Sequence, residues 1–313
     1  MQNETPLLIN EDQIDLLEVT RALWHGKKLI VGLSSFFAIL LIIVAMMLPD
    51  RYTATSVLAP VSPETSGLPG ALSRLGGLAS IAGLSFGVGD GSESQIAQEI
   101  MGSWGFIDDF IEKNNLQVPI YAVSGWDKSN NSLIIDDDIY DQKNKKWLIE
   151  DVNGQIGAPS SWKLYERFFN MLTIIPDSEA GLVTLSIEHY SPYIAKQLVD
   201  LLFEEINSHM QQRKLNRVNS NIEYLESQVE STSIAYMENV FYTIIEEQIK
   251  IKMLAEATPE HTFVVVNESM VAEEKSGPRR TIVVVLGSFF AVIFSMLIVL
   301  VRHSLRALSK SNS

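Results

Sequence analysis

From Tyr193 to Thr258 the chain runs 66 residues without a glycine or a proline, fenced by Pro192 and Pro259. Those two residue types are the commonest breakers of regular structure, so the run predicts helix throughout. One unbroken helix of that length would reach roughly 100 Å at about 1.5 Å per residue. That exceeds an ordinary globular domain, so the run must fold back, pack on copies of itself, or both.

The apolar pattern inside the run changes along its length. Ile194, Leu198, Leu201, Leu202 and Ile206 give a broad face suited to packing on a sheet. Asn207–Asn216 is mostly polar, with Met210 and Leu215 as its large apolar side chains. Leu215, Val218, Ile222, Leu225 and Val229 then follow a 3-4-3-4 spacing, a narrow heptad seam. Ser231-Thr232-Ser233 brings poor helix formers that cap well. Met237, Val240, Phe241, Ile244, Ile245 and Ile249 resume the pattern. The pattern predicts an antiparallel hairpin turning near Ser231–Ala235, with the first arm the longer. A seam plus these further apolar positions exceeds what one hairpin can bury, so the seam is expected to meet another subunit.

Two segments set the environment. Residues 29–48 and 282–301 are uncharged apolar runs of 20 residues, the length that crosses a hydrocarbon core of about 30 Å. The first is too long for a signal peptide and has no small-x-small cleavage site after it, so it reads as an anchor. Two spans leave residues 1–28 and 302–313 on one side and about 49–280 on the other. The short tails carry Arg21, Lys27, Lys28, Arg302, Arg306 and Lys310 near the membrane, against Arg51, Lys275, Arg279 and Arg280 on the loop. Six against four places the loop outside. In the second span Gly287, Ala291 and Ser295 recur every four residues, and Ser34 with Ala38 offers a matching surface in the first. Small residues at that spacing allow close helix packing in lipid. The patch is expected to pair the two spans or to contact a membrane partner, against the plainer reading of lipid-facing sequence.

The loop holds 18 Lys/Arg and 33 Asp/Glu. Such an acidic surface excludes nucleic acid as a partner. Cysteine is absent, which removes disulfides, thiolate metal sites and thiol catalysis. Before the first span, Asn10, Gln13, Ile14, Leu17, Arg21 and Trp24 fit a short amphipathic helix, either a membrane-hugging anchor or a protein contact. Pro49–Val61 reads as extended. Gly67–Gly91 is glycine-rich yet apolar, suiting a surface against membrane, partner or assembly interior, or else a poorly ordered loop. Glu93–Asn114 reads as one helix weakened at Gly102 and Gly105, residues 115–160 as mixed and polar with the Asp136–Asp138 and Asn-Lys runs as solvated loops, and Ser161–Met171 as a short helix. Leu182–Glu188 alternates as a half-buried strand, and Thr262–Val266 is a second β-rich run.

Chemistry-bearing patterns are weak. Gly83-Leu84-Ser85-Phe86-Gly87 matches G-x-S-x-G but lies in a glycine-rich run without the strand and helix that motif needs. Asp136-Asp137-Asp138 reads as a solvated acidic loop before it reads as a metal site. The histidines 25, 189, 209, 261 and 303 are scattered, and neither H-E-x-x-H nor a P-loop pattern occurs. No catalytic residue, metal ligand or cofactor site is expected; the chain reads as a scaffold.

In combination the motifs resemble one family. Ile14-Asp15-Leu16-Leu17 through Arg21-Ala22-Leu23-Trp24 precedes the first span, and Pro49, Tyr52 and Ala54 follow it as a P-x-x-Y-x-A exit. Gln98–Ser103, Val183–Glu188 with Pro192, Ile222-Glu223-Tyr224-Leu225 and Ile245-Glu246-Glu247-Gln248 continue the pattern. Val264–Val266 leads to Gly277-Pro278-Arg279-Arg280 before the second span, with Ala272 at a usual proline position. Together these resemble the chain-length determinant family, the Wzz-type polysaccharide co-polymerases without a kinase domain.

That resemblance implies an α+β membrane protein: two transmembrane helices flanking a periplasmic α/β base, about 49–212 and 259–280, with a long helical hairpin at about 213–258. It implies a ring-forming homo-oligomer in the bacterial inner membrane, both termini cytoplasmic, setting the modal length of a surface polysaccharide. Lipopolysaccharide O-antigen is the first expectation, with a common antigen or a capsule as alternatives. The partners implied are a separate integral-membrane polymerase and the growing lipid-linked polysaccharide. Leu215, Val218, Ile222, Leu225 and Val229 are the interface candidates. Pro49, Tyr52, Pro278, Arg279, Gly287, Ala291 and Ser295 are the membrane or polymerase contact candidates. The short tail and missing P-loop argue against the kinase-bearing subfamily. A periplasmic adaptor for polysaccharide export is the competing expectation.

Overall fold

The computed structural model describes residues 23–61, 91–150, 154–258 and 262–311. These fall into two compact units, one of residues up to Pro49 with those from Gly277, the other Asp50–Ser276. The N-terminal amphipathic pattern up to Arg21, nearly all of the glycine-rich stretch with Ser85, and His261 lie outside the described residues.

The first unit is a pair of helices, α1 (Lys27–Met47) and the later α8 (Arg280–Ser311). Both have the length and apolar composition to cross a membrane.

The second unit is built on a four-stranded antiparallel sheet. Its strands are β1 (Tyr52–Pro60), β8 (Leu172–Asp177), β9 (Leu182–His189) and β10 (Phe263–Asn267), in the order β10-β1-β9-β8. The alternation predicted for 182–188 is observed: Val183, Leu185, Ile187 and His189 are buried and their neighbours half-buried. Against this sheet pack α2 (Gly91–Met101), α3 (Trp104–Lys113), α5 (Ser161–Phe169) and the first turns of α6 (Pro192–Ser231). The core gathers Met101, Phe110, Phe168, Leu185, Ile187, Leu198, Leu202 and Phe263. Each such side chain contributes about 1.5–3 kcal/mol on burial.

One expectation is corrected, and two stretches gain structure the sequence left open. Glu93–Asn114 is two helices, because Ser103 adopts an extended backbone (φ −78°, ψ 146°) as the N-cap of α3. Residues 115–160 are more ordered than solvated loops: α4 (Gln117–Tyr121) is followed by three two-stranded ribbons, β2 (Val123–Asp127) with β3 (Ser132–Ile135), β4 (Tyr140–Asp141) with β5 (Lys146–Trp147), and β6 (Ile149–Glu150) with β7 (Ile156–Gly157). Asp127 and Asp141 hold two of the tips. Each carboxylate accepts backbone N–H bonds and an asparagine side chain three residues on, an Asx turn. Finally, β8 is a strand that sequence reading passed over. Pro176 sits in it without cost because β8 is at the sheet edge.

The long run behaves as read. Helix α6 is 40 residues, about 60 Å at roughly 1.5 Å per residue. Ser191 caps it through the Ile194 N–H, and Pro192 occupies the first turn, where its missing N–H costs nothing. After Ser231 the chain turns through Thr232–Ile234 into α7 (Ala235–Ala257), 23 residues long and antiparallel to α6.

Candidate assembly and membrane-contact site

In the first unit the small-residue stripe pairs the two apolar helices. Ala291 and Ser295 are buried, with Val299 one turn further and Ala45 on α1. A Cβ at Gly287 would stand 2.6 Å from Leu41 Cδ1, and one at Gly26 2.4 Å from Val299 Cγ1. The two close approaches pair 26 with 299 and 41 with 287, so the helices run antiparallel. Ser34 and Ala38 are half-buried. The hydroxyls of Ser295 and Ser34 donate to their own helix, to the Val292 and Val31 carbonyls, so the stripe is polar in name only. Within the chain the patch lies between the two spans. The faces turned outward carry Phe36, Phe289, Phe290 and Phe294. At the ends of the pair Pro49 and Arg279 are exposed and Pro278 is half-buried. Arg280 Nη2 donates to the Leu48 carbonyl at 2.8 Å, tying the end of one helix to the start of the other. Sequence reading had singled out Arg279, not its neighbour.

In the second unit the segment arriving at residue 276 is laid along the segment leaving residue 50. The Ser276 N–H donates to the Arg51 carbonyl at 2.8 Å, and Lys275 pairs with Asp50 at 3.2 Å. Glu188 accepts from Ser276 Oγ and pairs with Arg51 at 3.5 Å, while the Arg51 guanidinium lies over the Tyr190 ring. Exposed ion pairs of this kind contribute little each, so the backbone bond and strand register fix the geometry. Tyr52 stands edge-on to Trp126, which also neighbours Tyr193. The β2–β3 ribbon thereby reaches back to the exit strand, a contact no spacing in the sequence announces.

Along the hairpin the heptad seam has a first partner inside the chain. Val218 and Leu225 are buried, and Leu215, Ile222 and Val229 half-buried. Asn221 Nδ2 donates to Oε1 of the buried Gln248 at 3.3 Å, across the two arms. Lower down, Gln211 Nε2 donates to the Ala255 and Thr258 carbonyls. Buried Asn207 donates to the Phe263 carbonyl and accepts from the Thr262 and Phe263 N–H groups, all at 2.9–3.0 Å. Two of the five seam positions, Val218 and Leu225, are therefore covered within the chain, where α7 runs alongside. Leu215, Ile222 and Val229 keep part of their surface uncovered. The returning arm carries a separate open face: Tyr242, Ile249 and Met253, spaced 7 and 4 residues, are 53%, 44% and 64% exposed.

Asp136 Oδ1 accepts the Asp138 N–H in a turn. Among the described residues no group of three or more His, Asp and Glu could hold a metal ion. His189 is buried: its Nδ1 accepts the Ser191 N–H at 3.0 Å, so the proton is on Nε2, which donates to the Pro119 carbonyl at 3.0 Å. Burial pushes its pKa below the ordinary value, and Arg167 adds to the effect. It is a neutral structural histidine at the strand-to-helix junction.

Residues 12–113 match the family model of the Wzz chain length determinant proteins. No curated protein sequence matches the chain. Among solved structures, a full-length bacterial polysaccharide co-polymerase aligns over 95% of this chain and 99% of its own, at 13% identity and a TM-score of 0.37.

Proposed function

We propose, from the match of residues 12–113 to the family model of the Wzz chain length determinant proteins, that this chain sets the modal length of a surface polysaccharide without itself catalysing a reaction. It acts as an oligomeric scaffold on a separate membrane polymerase, with lipopolysaccharide O-antigen as the polymer and the hairpin unit in the periplasm. The single observation that carries this beyond the family match is the placement of a 40-residue helix and its returning arm in a unit whose chain enters and leaves between two apolar helices. A rigid rod about 60 Å long, at roughly 1.5 Å per residue, suits a scaffold and gives a small-molecule enzyme nothing to use. The open face at Tyr242, Ile249 and Met253, with Leu215, Ile222 and Val229 on the other arm, supports assembly through the hairpin.

The test is a gel profile of surface polysaccharide from cells with and without this chain. Loss of a modal cluster with polymer still present supports the regulator. Loss of all surface polymer supports the export adaptor instead.

A further inference from the structure

We propose that the exposed aromatic row on α5, Trp162–Tyr165–Phe169 with Trp104 beside it, is a carbohydrate-binding platform for neutral sugar units. The inference rests on the reading that this chain handles a polysaccharide.

Helix α5 buries one face in the core and carries aromatic side chains on the other, where Tyr165 still packs against the core and Trp162 and Phe169 remain largely open. Leu164 and Phe168 are buried in the core. On the other side Trp162 is 61% and Phe169 48% exposed, with Tyr165 between them and Trp104 51% exposed alongside. The Trp162–Tyr165 and Tyr165–Phe169 ring centroids are 5.4 and 5.5 Å apart, about one sugar ring per step. The row is held in place by its polar edges, which leaves ring surface free. Trp104 Nε1 donates to Ser161 Oγ at 2.8 Å, and the Tyr165 hydroxyl donates to the Gly102 carbonyl at 3.2 Å. Leading up to the same Gly102–Ser103 break, α2 presents a shallow open surface of Gln95, Gln98, Glu99 and Ser103 with Ile96 and Ile100.

This pairing of surfaces selects its ligand. A pyranose presents a face of C–H bonds, which meets the negative face of an aromatic ring, and a rim of hydroxyls, which amide and carboxylate side chains bind. A second copy fits less well, because these side chains fall far short of the roughly 20–30 residues a side of a stable interface. An anionic polymer or membrane surface is disfavoured by the 33 acidic against 18 basic residues of the region 49–280.

The experiment uses the full chain in lipid nanodiscs and, as probe, the polysaccharide released by mild acid from the surface of the source cells. Saturation-transfer NMR should show transfer to sugar ring protons. Binding should weaken about tenfold or more in Trp162→Ala and Trp104→Ala and survive in Trp162→Phe. Circular dichroism and assembly size should stay as in the parent. Equal transfer in parent and alanine variants overturns the proposal. So does a change of assembly size with sugar binding intact, which would make the patch a subunit contact. Parallel gel profiles separate the two levels. If removing the chain abolishes the modal cluster while the alanine variants bind normally, the platform falls and length control stands; if removing the chain leaves the cluster, length control falls.

Discussion

Asn207 shows how much one side chain can decide in this fold. It lies on the inner face of α6, 3% exposed, and makes three hydrogen bonds to residues 262 and 263 as the chain comes back from the hairpin. Removing it leaves two buried N–H groups and a carbonyl without partners, at about 1–3 kcal/mol for each unsatisfied group. Asn207→Ala should therefore lower the thermal midpoint of the extracted protein by several degrees at least, whereas Gln212→Ala, on the exposed side of the same helix, should not. An equal effect of the two would remove Asn207 from this role. In the sequence Asn207 reads as the start of a polar stretch, because its partners arrive 55 residues later. His189 gives a pH dependence. Its folded pKa lies below the ordinary value of 6.5, so the unfolded chain binds the proton more readily. Stability is then complete above about pH 6.5 and declines as pH falls, since protonated Nδ1 can no longer accept the N–H of Ser191, the cap of α6. A midpoint-against-pH series should flatten in His189→Gln over that window; an unchanged slope would assign the pH dependence elsewhere.

At the scale of elements, the hairpin and the paired spans make separate predictions. Leu225 is buried between the arms, so Leu225→Ala should destabilise the hairpin by about 2–5 kcal/mol, read as faster proteolysis within α6 and α7. Ile222 is half-buried, so a charge there should cost the hairpin less than one at Leu225. In the spans, an alanine at Gly287 could be met by rotating Leu41, but Gly287→Leu must push the helices apart. It should shift the polysaccharide length profile while leaving assembly intact, and Leu41→Ala should restore it; no shift would mean the close packing is incidental. These elements were legible in advance for a physical reason: both the 66-residue run and the apolar spans are set by local composition. β9 was legible by its alternation, and the turn by Ser231–Ser233. β8 was not, since Pro176 reads as a breaker until its edge position is known. Nor was the division between α2 and α3, where the signal fell on Gly102 and the break on Ser103. The seam was found, but not its neighbour. Its spacing records an apolar face and carries nothing about which helix covers it.

For the whole molecule the account makes assembly through the hairpin the cause of length control. The open face of α7 tests that without touching the core, because Ile249 and Met253 are exposed. The most direct measurement is the length profile of surface polysaccharide from cells whose only copy of the chain carries Ile249→Glu and Met253→Glu, at the parent's expression level. The account predicts that the modal cluster disperses while total polymer is unchanged. A modal cluster of unaltered length would contradict it.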